Sequence, residues 1–145
     1  MLARLIYASE VAAPLGPQDI TQLLRQARMR NAVRGITGLL VFDSKHFLQV
    51  IEGAPDAVNR LYVRMVTDPR HARPTLLSYT QVAVRRFSQW QMGFVAADAQ
   101  HRELYGRLTA SMRFDPMVLR GDQAEELLIS LAAQLPLEQN ESAPA

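Results

Sequence analysis

Hydrophobic and polar positions along the chain fall into short runs of two periods. Residues 2–8, LARLIYA, alternate as a strand, with Leu5 and Tyr7 on one face and Arg4, Ile6 and Ala8 on the other. The break AAPLGP follows, and Pro17 suits the first position of a helix, where its missing N–H costs nothing. Ile20, Leu23, Leu24 and Ala27 then recur at helical spacing until RMRNAVRG closes the pattern. Two strands are predicted at 35–42 and 46–52, joined as a hairpin across Asp43-Ser44-Lys45. Gly53-Ala54-Pro55 opens a second helix whose apolar face is Val58, Leu61, Tyr62 and Met65. It stops by Asp68, because the residue before Pro69 disfavours helical angles. Further strands are predicted near 75–84 and 89–95. The second alternates Trp90, Met92 and Phe94 with Gln89, Gln91 and Gly93, which places Trp90 and Met92 on one face. Residues 98–110 and 121–135 read as helices, the latter with Leu127, Leu128, Leu131 and Leu135. The closing EQNESAPA reads as a disordered tail, and no internal repeat is present.

The order strand, helix, strand, strand, helix, strand, strand is a split βαβ arrangement plus one strand. The expected fold is α+β: a ferredoxin-like sandwich with a five-stranded mixed sheet and two helices on one face. Its other face would be bare and apolar, and the two C-terminal helices are expected to cover it. The expected divisions are a sandwich at 1–96, a helical extension at 97–136 and the tail at 137–145.

Composition narrows the chemistry. The 145 residues suffice for one domain with a real core, and 48% hydrophobic with 21% charged is an ordinary globular balance. No apolar run approaches a membrane span, and the N-terminus lacks a signal-peptide pattern, so a cytoplasmic protein without membrane contact is expected. The net charge of +2 and the absence of a run of like charges argue against a nucleic-acid arm. Without cysteine there is no disulfide, thiolate nucleophile or Cys-based zinc site. His46, His71 and His101 are scattered, so no metal site is expected.

Gln49 stands out. It sits in FLQVIEG among Phe47, Leu48, Val50 and Ile51, where a buried amide without partners costs roughly 2–7 kcal/mol. Tyr7 can reach it if the first and third strands are neighbours, and a buried phenol also seeks a partner. One hydroxyl cannot use both amide N–H donors and the carbonyl oxygen. The residues leave two readings open: a satisfied core pair, or a site whose spare polar capacity meets a planar heteroatomic ligand. Asn31 is either a helix C-cap or a second amide aimed at the same place.

Five stretches together resemble the BLUF domain, a family of flavin-based blue-light sensors. They are LIYAS at 5–9, DITQLLRQARMRNAVRGITGLLVF at 19–42, FLQVIEG at 47–53, VNRLYVRMVTDPRH at 58–71 and RRFSQWQMGF at 85–94. The similarity runs in order over about residues 2–95, and the segment after 96 carries no family signature. The resemblance implies a short stand-alone sensor with the ferredoxin-like fold, its flavin ring between the two helices and edge-on to the sheet. It implies that Tyr7 donates an electron and a proton, and that Gln49 bridges Tyr7 and the ring. After light, Gln49 is left rotated or tautomerised and the absorption shifts slightly to the red. Asn31 would hold the ring's carbonyl edge, and Arg30 would reach the ring or ribityl chain. Arg64, Asp68, Arg70 and His71 would meet the far edge or the ribityl-phosphate region. Leu23, Phe47, Ile51 and Met65 would be apolar walls, and Trp90 or Met92 would pack near Gln49. The expected cofactor is FAD, with FMN possible. The expected partners are a separate effector protein and further copies of the chain, and no enzymatic activity is expected. The alternatives are a light-inactive flavin- or ligand-binding regulatory domain and an acylphosphatase-like hydrolase. The latter needs a Gly-rich phosphate cradle between first strand and first helix, which this chain lacks.

Overall fold

Strict alternation of side chains sets the layers. In the computed structural model, which describes residues 1–97, 101–109 and 113–135, β1 (Leu2–Val11) runs antiparallel to β3 (His46–Gly53) with Tyr7 opposite Gln49. β2 (Thr37–Phe42) pairs antiparallel with β3, and β4 (His71–Val82) with β1. β5 (Gly93–Ala96) pairs parallel with β2, giving the order β4-β1-β3-β2-β5. One sheet face carries Leu5, Tyr7, Leu40, Phe47 and Ile51 against α1 (Pro17–Arg34) and α2 (Pro55–Val66). The other carries Ile6, Leu39, Val41, Leu48 and Val50 against α3 (Arg102–Thr109) and α4 (Gly121–Ala132), through Tyr105, Leu127, Leu128 and Leu131. Both faces are covered, so β1 and β3 are buried almost throughout. The expected tail at 137–145, and residues 98–100 and 110 of the expected helix 98–110, lie outside the described residues.

Several boundaries differ from expectation for local reasons. Gly35 is not in β2; it ends α1 at φ 67, the left-handed conformation that glycine adopts freely, and returns its N–H to Asn31 O. β1 continues to Val11 rather than Ala8. β4 starts at His71, not 75, although Pro74 lies within it. β4 is an edge strand with β1 on one side only, and an edge tolerates a residue that cannot donate. α4 ends at Ala132 rather than 135.

The largest correction concerns residues 89–95. Only Gly93–Ala96 is strand, and residues 83–92 form a loop over the end of β2 and β3. Trp90 and Met92 therefore do not share a strand face. Met92 joins the core on the α1/α2 side, whereas Trp90 lies beside Phe87, Ile129, Ala132 and Ala133 on the α4 side. Gly93, which follows, packs closely on β2: a Cβ there would come within 2.9 Å of Leu39 Cδ1.

A buried carboxylate holds the loop. Glu52, at the end of β3, accepts from Phe87 N (2.7 Å), Arg86 N (3.0 Å) and Arg4 Nε (2.8 Å). Arg4 Nη1 also donates to Glu125 on α4 at 2.7 Å. Arg85 ties the same loop to Glu52 O and to Gly35 O.

Candidate functional site

A cleft opens between α1 and α2 above the middle of the sheet. Leu23, Ala27, Arg30 and Asn31 line it from α1, Leu61 and Met65 from α2, and Leu40, Phe47 and Gln49 from the sheet. Asp68, Arg70 and His71 close the α2–β4 end and Met92 closes the loop side. The α1 set recurs every three or four residues, as one face of a helix must. Of the residues expected here, Tyr7 and Ile51 lie in the core beneath, Arg64 is exposed outside the lining, and Trp90 is turned away. Ala27, Leu40 and Leu61 were not expected as lining, although Ala27 and Leu61 lie on the apolar faces read from periodicity.

At the floor, Tyr7 Oη donates to Gln49 Oε1 at 2.6 Å and has Met65 Sδ at 3.2 Å. Gln49 Nε2 donates to Met92 Sδ at 3.3 Å, so the amide is oriented: a phenol hydrogen faces its oxygen and a thioether faces its nitrogen. One of the two N–H donors has no partner among the described residues. Tyr7 is wholly buried. Burial, with smaller contributions from Asp68 and Tyr62 and against Arg70, pushes its phenol far above the usual range, so it keeps its proton at any ordinary pH. Asn31 is not a C-cap; it is buried in the last turn of α1, and its Nδ2 donates to Gln91 O at 2.6 Å. Arg28 Nε donates to Met92 O at 2.9 Å. Sequence reasoning missed Arg28, Ser9 and Glu52. For Glu52 the signal used for Gln49, a polar side chain where the pattern demands burial, was readable.

The α2–β4 end is charged. Arg70 grips Asp68 through Nε and Nη2, the shortest contact being 2.6 Å. That hydrogen bonding holds the Asp68 carboxyl below its usual range and Arg70 above its own. His71 Nδ1 lies 2.7 Å from Ser9 Oγ, and the ring packs on Phe47 and Tyr7. Burial pushes the His71 ring below its ordinary value of about 6.5, with Arg70 helping and Asp68 opposing. Unfolded, this ring binds a proton near pH 6.5. Folded, it does so only at lower pH, so the unfolded chain holds more protons in between. His71 thus contributes stability that is complete above about pH 6.5 and is lost as pH falls through the folded value. In flavin-free protein, His71→Gln should make the fall in unfolding midpoint between pH 7 and 5 shallower.

The site fits a planar, heteroatom-rich ligand with an anionic arm. Arg30 Nε is buried at the cleft with no hydrogen-bond partner among the described residues, an orphan costing about 1–3 kcal/mol unless a ligand meets it. Burial first, then the charges of Arg64, Arg70 and Arg34, push Arg30 below its usual range, with Asp68 opposing. The Gln49 amide has a free donor on the floor, and Leu23, Phe47 and Met65 supply flat apolar walls. Among the described residues no cluster of acids and histidines could hold a metal, and no helix is long and apolar enough to cross a membrane.

Fold and cleft together define an α+β sandwich whose cleft between two helices suits a flat polar ring. The family model described as BLUF, sensors of blue light using FAD, matches residues 2–93, and this chain belongs to that family. The family's cofactor is FAD. The photoactivated adenylate cyclase subunit beta-like protein FB of Euglena gracilis is 35% identical over 98 residues, which are 67% of this chain and 11% of that protein. The chain thus spans about a tenth of the length of that curated relative. Among solved structures, BlsA in its photo-activated state superposes with a TM-score of 0.82 at 26% identity, covering 93% of this chain and 97% of that one. BlrB, a BLUF protein in its dark state, gives 0.75 at 32% identity, covering 92% and 97%.

Proposed function

We propose that this chain is a non-enzymatic blue-light photoreceptor in which Tyr7 and Gln49 form the photoactive pair, and that it signals by altering contact with a separate partner protein. The observation that carries this reading is the buried 2.6 Å bond from Tyr7 Oη to Gln49 Oε1 on the floor of the cleft. The superposition on the BlsA and BlrB chains over most of both lengths supports a light-sensing role.

Arg30 and Arg70 are suited to anchor the phosphates, Asn31 and Gln49 to meet the ring's polar edge, and Leu23, Phe47 and Met65 to exclude water from its faces. Bound FAD supplies absorption of blue light and accepts an electron. A phenol that loses an electron becomes a strong acid, and the proton on Tyr7 Oη has a short path to Gln49 Oε1. An amide that takes this proton on Oε1 would give up an N–H proton toward the group holding the electron, and electron and proton would then return to Tyr7, leaving the amide rotated or as its tautomer with a donor where it had presented an acceptor.

One rearranged hydrogen bond is worth about 0.5–1.5 kcal/mol. The output element must therefore be nearly balanced. Met92 joins Gln49 to the 83–92 loop, and Glu52 and Arg4 join that loop to Glu125 on α4. Light should loosen the docking of α3 and α4. Amide hydrogen exchange of the FAD-loaded protein should rise in Arg102–Thr109 and Gly121–Ala132 under blue light. Identical exchange in dark and light would refute this route of output.

A further inference from the structure

Two thioethers flank the photoactive pair, one at each end. Met92 Sδ takes the Gln49 N–H, and Met65 Sδ stands 3.2 Å from Tyr7 Oη. In the observed arrangement Met65 is nearly idle, because the single phenol hydrogen points to Gln49 Oε1 at 2.6 Å. Turning the amide changes the inventory at each atom. Its NH2 then faces Tyr7 and donates to the phenol oxygen, so Oε1 no longer accepts there. The phenol hydrogen must find another acceptor in a pocket with no water-exposed surface on Tyr7. Met65 Sδ is the other acceptor that the structure records within hydrogen-bonding distance of Tyr7 Oη. A thioether is a weak acceptor, but a buried hydroxyl without any acceptor costs more than a poor bond.

We infer that Met65 is a positioning residue: its sulfur is the reserve acceptor for the Tyr7 hydroxyl and holds the turned state of Gln49. This rests on the photoreceptor reading above for its light-dependent part only. The expectation for Met65 was an apolar wall, and a leucine or isoleucine would serve as a wall equally well. The sulfur matters only if it accepts.

The test has two arms. In flavin-free protein kept in the dark, Met65→Leu should barely change the unfolding midpoint when Gln49 is present. In a Gln49→Leu background, where Met65 is the remaining acceptor for Tyr7, the same change should lower the midpoint by several degrees. Adding Tyr7→Phe should abolish that loss. An equal effect of Met65→Leu in both backgrounds would show that Met65 only packs, and would overturn the inference. In FAD-loaded protein, whatever the yield of the red-shifted state, Met65→Leu should return to the dark spectrum roughly two- to tenfold faster than wild type. Met65→Gln, which restores an acceptor, should recover slowly again. A red shift whose decay is unchanged in Met65→Leu would refute the inference while leaving the photoreceptor reading intact. No red shift in the wild type would refute that reading, and the dark stability arm would still decide the role of Met65.

Discussion

Gln49→Leu should leave FAD bound and abolish the light-induced red shift. Leucine has nearly the volume of glutamine, and its neighbours Leu40, Phe47 and Met92 are apolar, so the cleft keeps its shape. What disappears is the acceptor that Tyr7 Oη uses at 2.6 Å and the N–H that faces Met92 Sδ. The phenol then has no amide through which to pass a proton, and nothing on the floor can change from acceptor to donor. The loss should be complete rather than graded, because among the described residues Gln49 is the one amide bonded to Tyr7 Oη. Equilibrium dialysis against FAD, followed by absorbance before and after blue light, checks both halves. A normal red shift in this variant would remove Gln49 from the mechanism.

Glu52→Ala should have the largest effect on stability. The carboxylate is fully buried and accepts from Phe87 N, Arg86 N and Arg4 Nε. Removing it strands two backbone N–H groups and leaves the Arg4 guanidinium, itself almost buried, with the partly exposed Glu125 as its one remaining carboxylate among the described residues. Breaking a buried pair in this way costs about 3–5 kcal/mol. In a total stability of about 5–15 kcal/mol that is a large fraction. The unfolding midpoint should fall by about 10 °C or more. The 83–92 loop should also loosen, which displaces Met92 from Gln49 and weakens FAD binding. Thermal denaturation checks the first effect and dialysis the second. A midpoint within 2 °C of wild type, or about half a kcal/mol, would mean that the loop holds itself. Glu52→Gln keeps the shape and two hydrogen-bonding atoms, and should fall between.

Much of this was legible in the sequence because alternation and helical periodicity are direct records of which face is buried. Leu5 and Tyr7 against Arg4, Ile6 and Ala8, and Ile20, Leu23, Leu24 and Ala27 along α1, gave the layers and the order of elements. Gln49 was legible as a conflict between residue type and burial. Residues 89–95 were misread because Trp90, Met92 and Phe94 alternate like a strand, yet the loop is held by Glu52, whose pairing with Arg86 and Phe87 N–H groups leaves no local trace. The same non-locality hid which of Trp90 and Met92 enters the cleft. β4 began early for a related reason: Pro74 reads as a breaker unless the strand is known to be an edge. Arg28 and Ser9 act across the chain on Met92 O and His71, contacts that no local period encodes.

The most direct measurement is a light-minus-dark absorbance spectrum of the FAD-loaded wild type, with Gln49→Leu as the blank. The account requires a small, fully reversible displacement of the flavin bands to longer wavelength in the wild type and a flat trace in the blank. A wild-type trace as flat as the blank, from protein that has bound FAD, would contradict it.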